Sequence, residues 1–130
     1  MILLIALSIL LSVLTFSFSK LNSIGAIRSS AIITLISCGI IMLLRTTWKF
    51  DSETYMALSF GASFVGMSCP TRFGIKSIAL GGLFFGIFFL NLVPLLTGFG
   101  GALGTSAFLA ISLVHLIKII LVKVSPKILS

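Results

Sequence analysis

Two ionisable side chains lie inside the last long apolar stretch of the chain, where a charge or a proton would be hard to accommodate. His115 and Lys118 both fall within Phe108–Val122, and their spacing of three residues puts them on one face of a helix. Ionisable groups at membrane depth are costly, so they are candidates for a proton or anion path. Lys118 can instead reach the membrane surface as an anchor. A neutral His115 bonded to a neighbouring helix is the structural alternative.

A second set of candidates is polar but not charged. Asn91 lies between two leucines, where its amide needs partners across a helix interface. Pro94 cannot donate a backbone hydrogen bond and so frees a carbonyl nearby. Thr105 and Ser112 share a helix face with the histidine. The side chains predicted to line a pathway or make polar contacts are Asn91, Thr105, Ser112, His115 and Lys118.

The sequence lacks the residue patterns that enzymes usually require. One histidine and two acids, Asp51 and Glu53, are too few for the ligand clusters that hold zinc. The G-x-S-x-G, H-E-x-x-H and phosphate-loop motifs do not occur. Cys38 and Cys69 are interpreted as small, mainly apolar side chains. We therefore expect no enzyme activity, no catalytic residue, no metal and no cofactor.

Five apolar segments have to position these side chains. The chain of 130 residues is 58% hydrophobic and 8% charged, whereas a soluble domain carries about a quarter charged residues. The apolar runs are continuous, which excludes the alternating pattern of a membrane barrel, so the backbone must bond within helices. The predicted fold is an all-α integral membrane protein, a single transmembrane domain over residues 1–130. Its five short-looped spans are predicted at about 2–18, 24–44, 55–69, 77–96 and 101–122.

Two of these segments are short for a span. The clean apolar stretch of the second runs for 14 residues from Ala31 to Leu44, and the third has 15, from Tyr55 to Cys69. A spanning helix needs about 20 residues. Four spans plus one re-entrant segment is therefore the second choice. The first segment has no basic residues before it and no A-x-A-like site after it, so a cleaved signal peptide is the less favoured interpretation.

The net charge of +7 is distributed unevenly along the chain. If the segments alternate in direction, one side holds only Arg45 and Lys49 of the basic residues, together with both acids. The basic residues of the other side are Lys20, Arg28, Arg72, Lys76, Lys118, Lys123 and Lys127. The positive-inside rule then places the N-terminus outside and the C-terminus inside a cell or inner membrane. The basic residues stand singly at segment ends, so we expect lipid and no nucleic acid as a partner.

Small residues recur at helical spacing in every segment. Such faces let helix backbones approach closely, and hydroxyls can bond across the interface. Because so small a bundle buries little surface, we also expect a homo-oligomer or a larger membrane-protein partner. The residues predicted to pack helices together are Ser8, Ser12, Thr15, Ser59, Ser63, Gly66, Gly82, Gly86, Gly101 and Gly104.

One stretch resembles part of a known family. Gly98–Phe108 is similar to the Gly-Gly and Thr-Phe-Ser-Thr-Phe segment of small fluoride channels, and Gly25–Arg28 to their early Gly-Ala and Arg. The resemblance implies a four-span, dual-topology dimer with a broken third helix. It covers about a tenth of the chain. The Phe-Ser-Thr-Phe core is absent, and the charge bias is strong where that family is balanced.

Three functions are compatible with these patterns. The first is an oligomeric transporter or channel subunit for a small neutral or anionic solute, since the segments contain no carboxylate to drive a cation symporter. The second is a non-catalytic accessory or assembly subunit of a larger membrane complex, in which the small-residue faces serve packing alone. A fluoride-channel-like ion channel is a lesser alternative.

Overall fold

A computed structural model describes residues 1–21, 23–96 and 101–124, and this part of the chain is helical, with no β-strand. The prediction of an all-helical protein is confirmed. A 3-10 turn, Val93–Leu96, follows the fourth of five α-helices. The helices are α1 (Ile2–Ser19), α2 (Gly25–Thr47), α3 (Ser52–Gly66), α4 (Ile75–Asn91) and α5 (Ala102–Val124).

Four stretches are long and apolar enough to cross a membrane. They are Ile2–Ser19, Gly25–Thr47, Ile75–Leu95 and Ala102–Val124. The second segment reaches this length because its helix continues beyond the apolar stretch at both ends, with Arg28 in its first turns and Arg45 in its last. These helices indicate a membrane-spanning protein. Whether the protein has four or five spans depends on whether α3 crosses the membrane. Its 15 residues extend over about 22 Å.

Local chemistry explains where helices begin and end. The Asp51 carboxylate caps α3 by accepting hydrogen bonds from the backbone amide and the hydroxyl of Thr54. These bonds hold the pKa of Asp51 below its usual value. The cap starts α3 at Ser52, three residues before the predicted start, Tyr55. The end of α4 is shifted as well: Pro94 cannot supply an amide hydrogen, and the α-helix stops at Asn91, where the sequence predicts a segment continuing to Leu96.

Consecutive helices run in opposite directions. Ser8 of α1 meets Gly82 of α4, and Ser30 near the start of α2 meets Ser63 near the end of α3. Lys118, in the last turns of α5, meets Arg72 in the connection between α3 and α4. The bundle therefore has a basic end, where the α1–α2 and α3–α4 connections lie with the end of α5. The opposite, mixed-charge end carries Arg45, Lys49, Asp51 and Glu53.

The third helix lies at the centre of the bundle and contacts the other four. The first helix contacts α2, α3 and α4, while α5 packs on α3 and α4. The largest fully buried side chains include Phe16 of α1, Leu58 and Val65 of α3, and Phe85 of α4. Buried serines lie between these same helices, so the interior combines a few large apolar side chains with many small polar ones.

Candidate functional site

Four of the five predicted pathway residues are exposed, and the five do not surround a common space. Asn91 is exposed, and its side-chain nitrogen donates to the Ile87 carbonyl of its own helix at 2.8 Å. The exposed Thr105 hydroxyl likewise donates to the Ala102 carbonyl one turn back, at 3.0 Å. Ser112 is half-buried. Two of these polar groups are therefore bonded within their own helices.

The other two residues meet the connection between α3 and α4. The ring of His115 lies edge-on to that of Phe73, with centroids 5.8 Å apart. The Lys118 ammonium donates to the Arg72 carbonyl at 2.9 Å. His115 and Lys118 thus share the basic end of the bundle. Asn91 and Thr105 lie toward the mixed-charge end. Thr105 precedes His115 by ten residues, which corresponds to about 15 Å along α5.

Helix α5 turns its polar stripe away from the other helices. Thr105, Phe108 and His115 are exposed, and Ser112 is half-buried. The face that packs against the bundle carries other residues. Its buried side chains are Ser106, Ala107, Ala110 and Val114. Apart from the contact of His115 with Phe73, this polar face has no helix packed against it, which is the distinctive surface feature of α5.

Buried hydroxyls gather where α1 meets α3 and α4. The Ser8 hydroxyl lies 2.8 Å from the carbonyls of Ile5 in its own helix and Gly82 in α4. The Ser12 hydroxyl lies 2.7 Å from the Ser8 carbonyl and 3.0 Å from the Ala62 carbonyl of α3. These serines therefore connect α1 to both neighbours through hydroxyl-to-backbone bonds.

Glycines allow these helices to approach so closely. A Cβ atom at Gly66 would lie 2.6 Å from the Ser12 carbonyl oxygen, and one at Gly82 would lie 2.9 Å from the Ile9 Cα. At Gly86 it would lie 2.7 Å from the Ser8 hydroxyl oxygen. These distances leave no room for a side chain. By contrast, Gly104 and Gly101 have open space around them, and Gly101 has a φ of +92° that favours glycine at the start of α5.

One buried pair of side chains was not apparent from the sequence. Ser30 of α2 donates to the hydroxyl oxygen of Ser63 at 2.9 Å, and Ser63 in turn donates to the Phe60 carbonyl. Ser63 and the buried Ser59 are among the residues predicted to pack, but Ser30 is not. Ser30 lies within the predicted second span, before its clean apolar stretch, and the start of α2 at Gly25 places it on the helix that meets α3.

We expect Ser63→Ala to lower the free energy of unfolding by about 1 kcal/mol, because it removes the acceptor of Ser30 inside the bundle. The effect can be measured by unfolding in mixed detergent micelles. Thr15→Val is the matched control, since it replaces a buried hydroxyl that has no hydrogen-bond partner among the described residues. That change should be neutral or stabilising. Equal losses for both variants would contradict the importance of the Ser30–Ser63 bond.

Two cavities open between helices, and both are mainly apolar. The larger, of about 690 Å³, lies between α1 and α2. The smaller, of about 340 Å³, lies between α3 and α5 beside Phe64, Met67 and Ile111. None of the five predicted pathway residues lines either cavity. These two cavities therefore do not form a route for a polar solute.

The stretch that resembles fluoride channels is only partly within the described residues. Residues 97–100 lie outside them, and the remainder, from Gly101 to Phe108, forms the start of α5. Gly25, at the second point of resemblance, begins α2 with a φ of +72°. Comparison with protein families, characterised proteins and solved structures finds no match. The function is consequently argued from the geometry of this chain alone.

Proposed function

We propose that the protein crosses the membrane five times, with its basic end inside. The support for α3 as a fifth span is its position: Leu58, Ser59, Ala62 and Ser63 are all fully buried. A short helix enclosed by longer ones need not match the bilayer thickness itself. The basic end carries most of the cations, so the positive-inside rule assigns it to the inner side and the N-terminus to the outer side.

Within that membrane, the protein is proposed to act as an oligomeric transporter or channel subunit for a small neutral or anionic solute. The observation that carries this proposal is the outward-facing polar stripe of α5, formed by Thr105, Ser112 and His115. The glycine and serine contacts leave little space at the centre, so the route is placed at the surface of α5, between copies of the chain.

The energetic cost of exposing polar side chains to lipid explains why another chain would cover this surface. Hydroxyl and imidazole groups facing lipid lose the partners that water would give them. A second copy presenting the same face would place two polar stripes opposite each other about a twofold axis. Such a lining has hydrogen-bond donors and acceptors but no carboxylate, which suits neutral or anionic solutes better than metal cations.

The test is flux through proteoliposomes containing the purified protein, using chloride, fluoride, glycerol and urea as separate probes. We expect one of these solutes to cross, and His115→Leu or Asn91→Leu to abolish its flux while the protein still folds. Leu116→Met is the matched control, because Leu116 is exposed on the same helix and is apolar. Flux that survives His115→Leu would contradict a route along α5, and flux that also survives Asn91→Leu would contradict the proposed pathway as a whole.

The accessory-subunit alternative is favoured by one observation. The interior between α1, α3 and α4 is closed by glycine contacts, as expected of a protein whose faces serve packing alone. Purification in a mild detergent followed by mass measurement of the intact assembly separates the two proposals. A homo-oligomer supports the transporter. A stoichiometric larger partner, with no flux from the isolated chain, supports the accessory subunit.

A further inference from the structure

The larger cavity is a groove along the outside of the bundle, which we call the α1–α2 groove. One wall is formed by leucines of α1, including Leu7, Leu10 and Leu14, and the other by Ile36, Ile40 and Leu44 of α2. From Leu3 to Leu14 the α1 wall covers about 17 Å of helix. Its volume of about 690 Å³ lies in the range of ligand-binding sites.

Away from Trp48 and Tyr55 at one end, the lining is suited to hydrocarbon and to little else. Its serines are Ser37 and Ser59, and both hydroxyls donate to carbonyls of their own helices, those of Ile33 and Tyr55. Neither hydroxyl hydrogen is therefore left for a ligand. A polar molecule placed here would lose hydrogen bonds to water without regaining them, which is unfavourable. An acyl chain has no such bonds to lose.

A transmembrane helix is a less suitable occupant than a lipid chain. Helices pack in membranes through small residues that let backbones approach, as Gly66 and Gly82 do inside this bundle. The α1–α2 groove contains no glycine or alanine; branched leucine and isoleucine side chains form both walls. A flexible acyl chain can follow such an uneven surface, whereas a rigid helix would be held away from it.

The mixed-charge end of the bundle lies at one end of this groove and provides a place for a headgroup. Trp48, Phe50 and Tyr55 line the groove there, and aromatic side chains of this kind are typical of the membrane interface. Two cations, Arg45 and Lys49, and two acids, Asp51 and Glu53, border these aromatics in sequence. Their balance of charge matches a headgroup that carries both a phosphate and an amine.

From these observations we infer that the α1–α2 groove binds a phospholipid, with an acyl chain between α1 and α2 and a zwitterionic headgroup at the mixed-charge end. The inference requires the proposed membrane location but does not depend on solute transport. It assigns to α2 a role in holding lipid, which is consistent with the many exposed apolar side chains of that helix.

The test adds dioleoyl phosphatidylethanolamine to the delipidated protein in maltoside detergent and counts bound lipids by native mass spectrometry. We expect one tightly bound lipid per chain. Leu10→Trp and Ile40→Trp, which fill the α1–α2 groove, should each weaken binding about tenfold. Leu109→Trp is the matched control, because it adds the same ring to an exposed position on α5. Dioleoyl phosphatidylglycerol, the anionic counterpart, should bind more weakly.

Several results would overturn the inference. They are equal lipid retention by all three tryptophan variants, preference for the anionic lipid, and loss of an oligomer without loss of lipid when the groove is filled. If the groove variants fail to fold, a photoactivatable phosphatidylethanolamine can be used on the unaltered protein. Crosslinks concentrated on residues 7–14 and 33–44 would support the site, and crosslinks spread equally onto α5 would contradict it.

Discussion

Gly82→Ala is expected to lower the free energy of unfolding by about 1–3 kcal/mol, although alanine is the better helix former. The added Cβ would lie 2.9 Å from the Ile9 Cα and 3.1 Å from the Ser8 carbonyl oxygen, both of them backbone atoms that cannot rotate away. α1 would have to move off α4, which would also weaken the hydrogen bond between the Ser8 hydroxyl and the Gly82 carbonyl. Unfolding titrations in mixed detergent micelles measure the loss.

Gly39→Ala is the matched control for this change. Gly39 also lies inside a long apolar helix, but nothing is within 4 Å of the position of its Cβ. The same substitution should therefore be neutral or stabilise the protein by up to about 1 kcal/mol. Gly66→Ala should follow Gly82→Ala, because its Cβ would lie 2.6 Å from the Ser12 carbonyl oxygen. If all three variants were equally stable, the close approach of α1 to α3 and α4 would be refuted.

Phe85→Ala is expected to cost about 2 kcal/mol, because it empties the space that this fully buried ring occupies. For a protein in lipid, the apolar ring is solvated by hydrocarbon in both states, so the cost is mainly lost packing. The tip of the ring, its Cζ atom, approaches Gly61 of α3, and a Cβ added there would overlap it. Gly61→Leu alone should therefore destabilise the protein as well.

The two changes are expected to compensate when combined. In the double variant, the leucine side chain from position 61 would occupy part of the space left by the ring at position 85. A double-mutant cycle should give a favourable coupling of about 1–3 kcal/mol. Phe84→Ala with Gly61→Leu is a useful control, because Phe84 is only partly buried and is not among the nearest contacts of that Cβ. Additive losses in the Phe85 cycle would contradict the close contact between this ring and Gly61.

The number and type of helices follow from the sequence because apolar length is a strong signal. The positions of the helix ends depend on weaker effects. Asp51 starts α3 earlier than the apolar pattern indicates, and Pro94 ends α4 before the end of the apolar segment. The start of α2 is close to the predicted one, Gly25 against residue 24, because a cation such as Arg28 can reach the surface from within a span.

Which helix faces meet is less predictable, for a physical reason. In water, polar side chains mark the outside of a helix, whereas in lipid both faces are apolar and the pattern gives no direction. The stripes of Ser8 and Ser12 in α1 and of Gly82 in α4 are visible in the sequence, but their partners are not. The stripe containing Thr105 and His115 is equally regular, yet it lies on the outer side of α5.

The packing of α1 against α3 and α4 also has a consequence for biogenesis. The Ser12–Ala62 and Ser8–Gly82 bonds join residues 50 and 74 positions apart, so the helix that is synthesised first must wait for α3 and then for α4. At translation rates of about 5–20 residues per second, α1 spends several seconds in the bilayer before α4 emerges. During that interval the Ser8 hydroxyl can reach the Ile5 carbonyl of its own helix but not the Gly82 carbonyl of α4. α1 therefore gains its contact with α4 late in synthesis, and a chain that stops before α4 would leave that helix partly unpartnered.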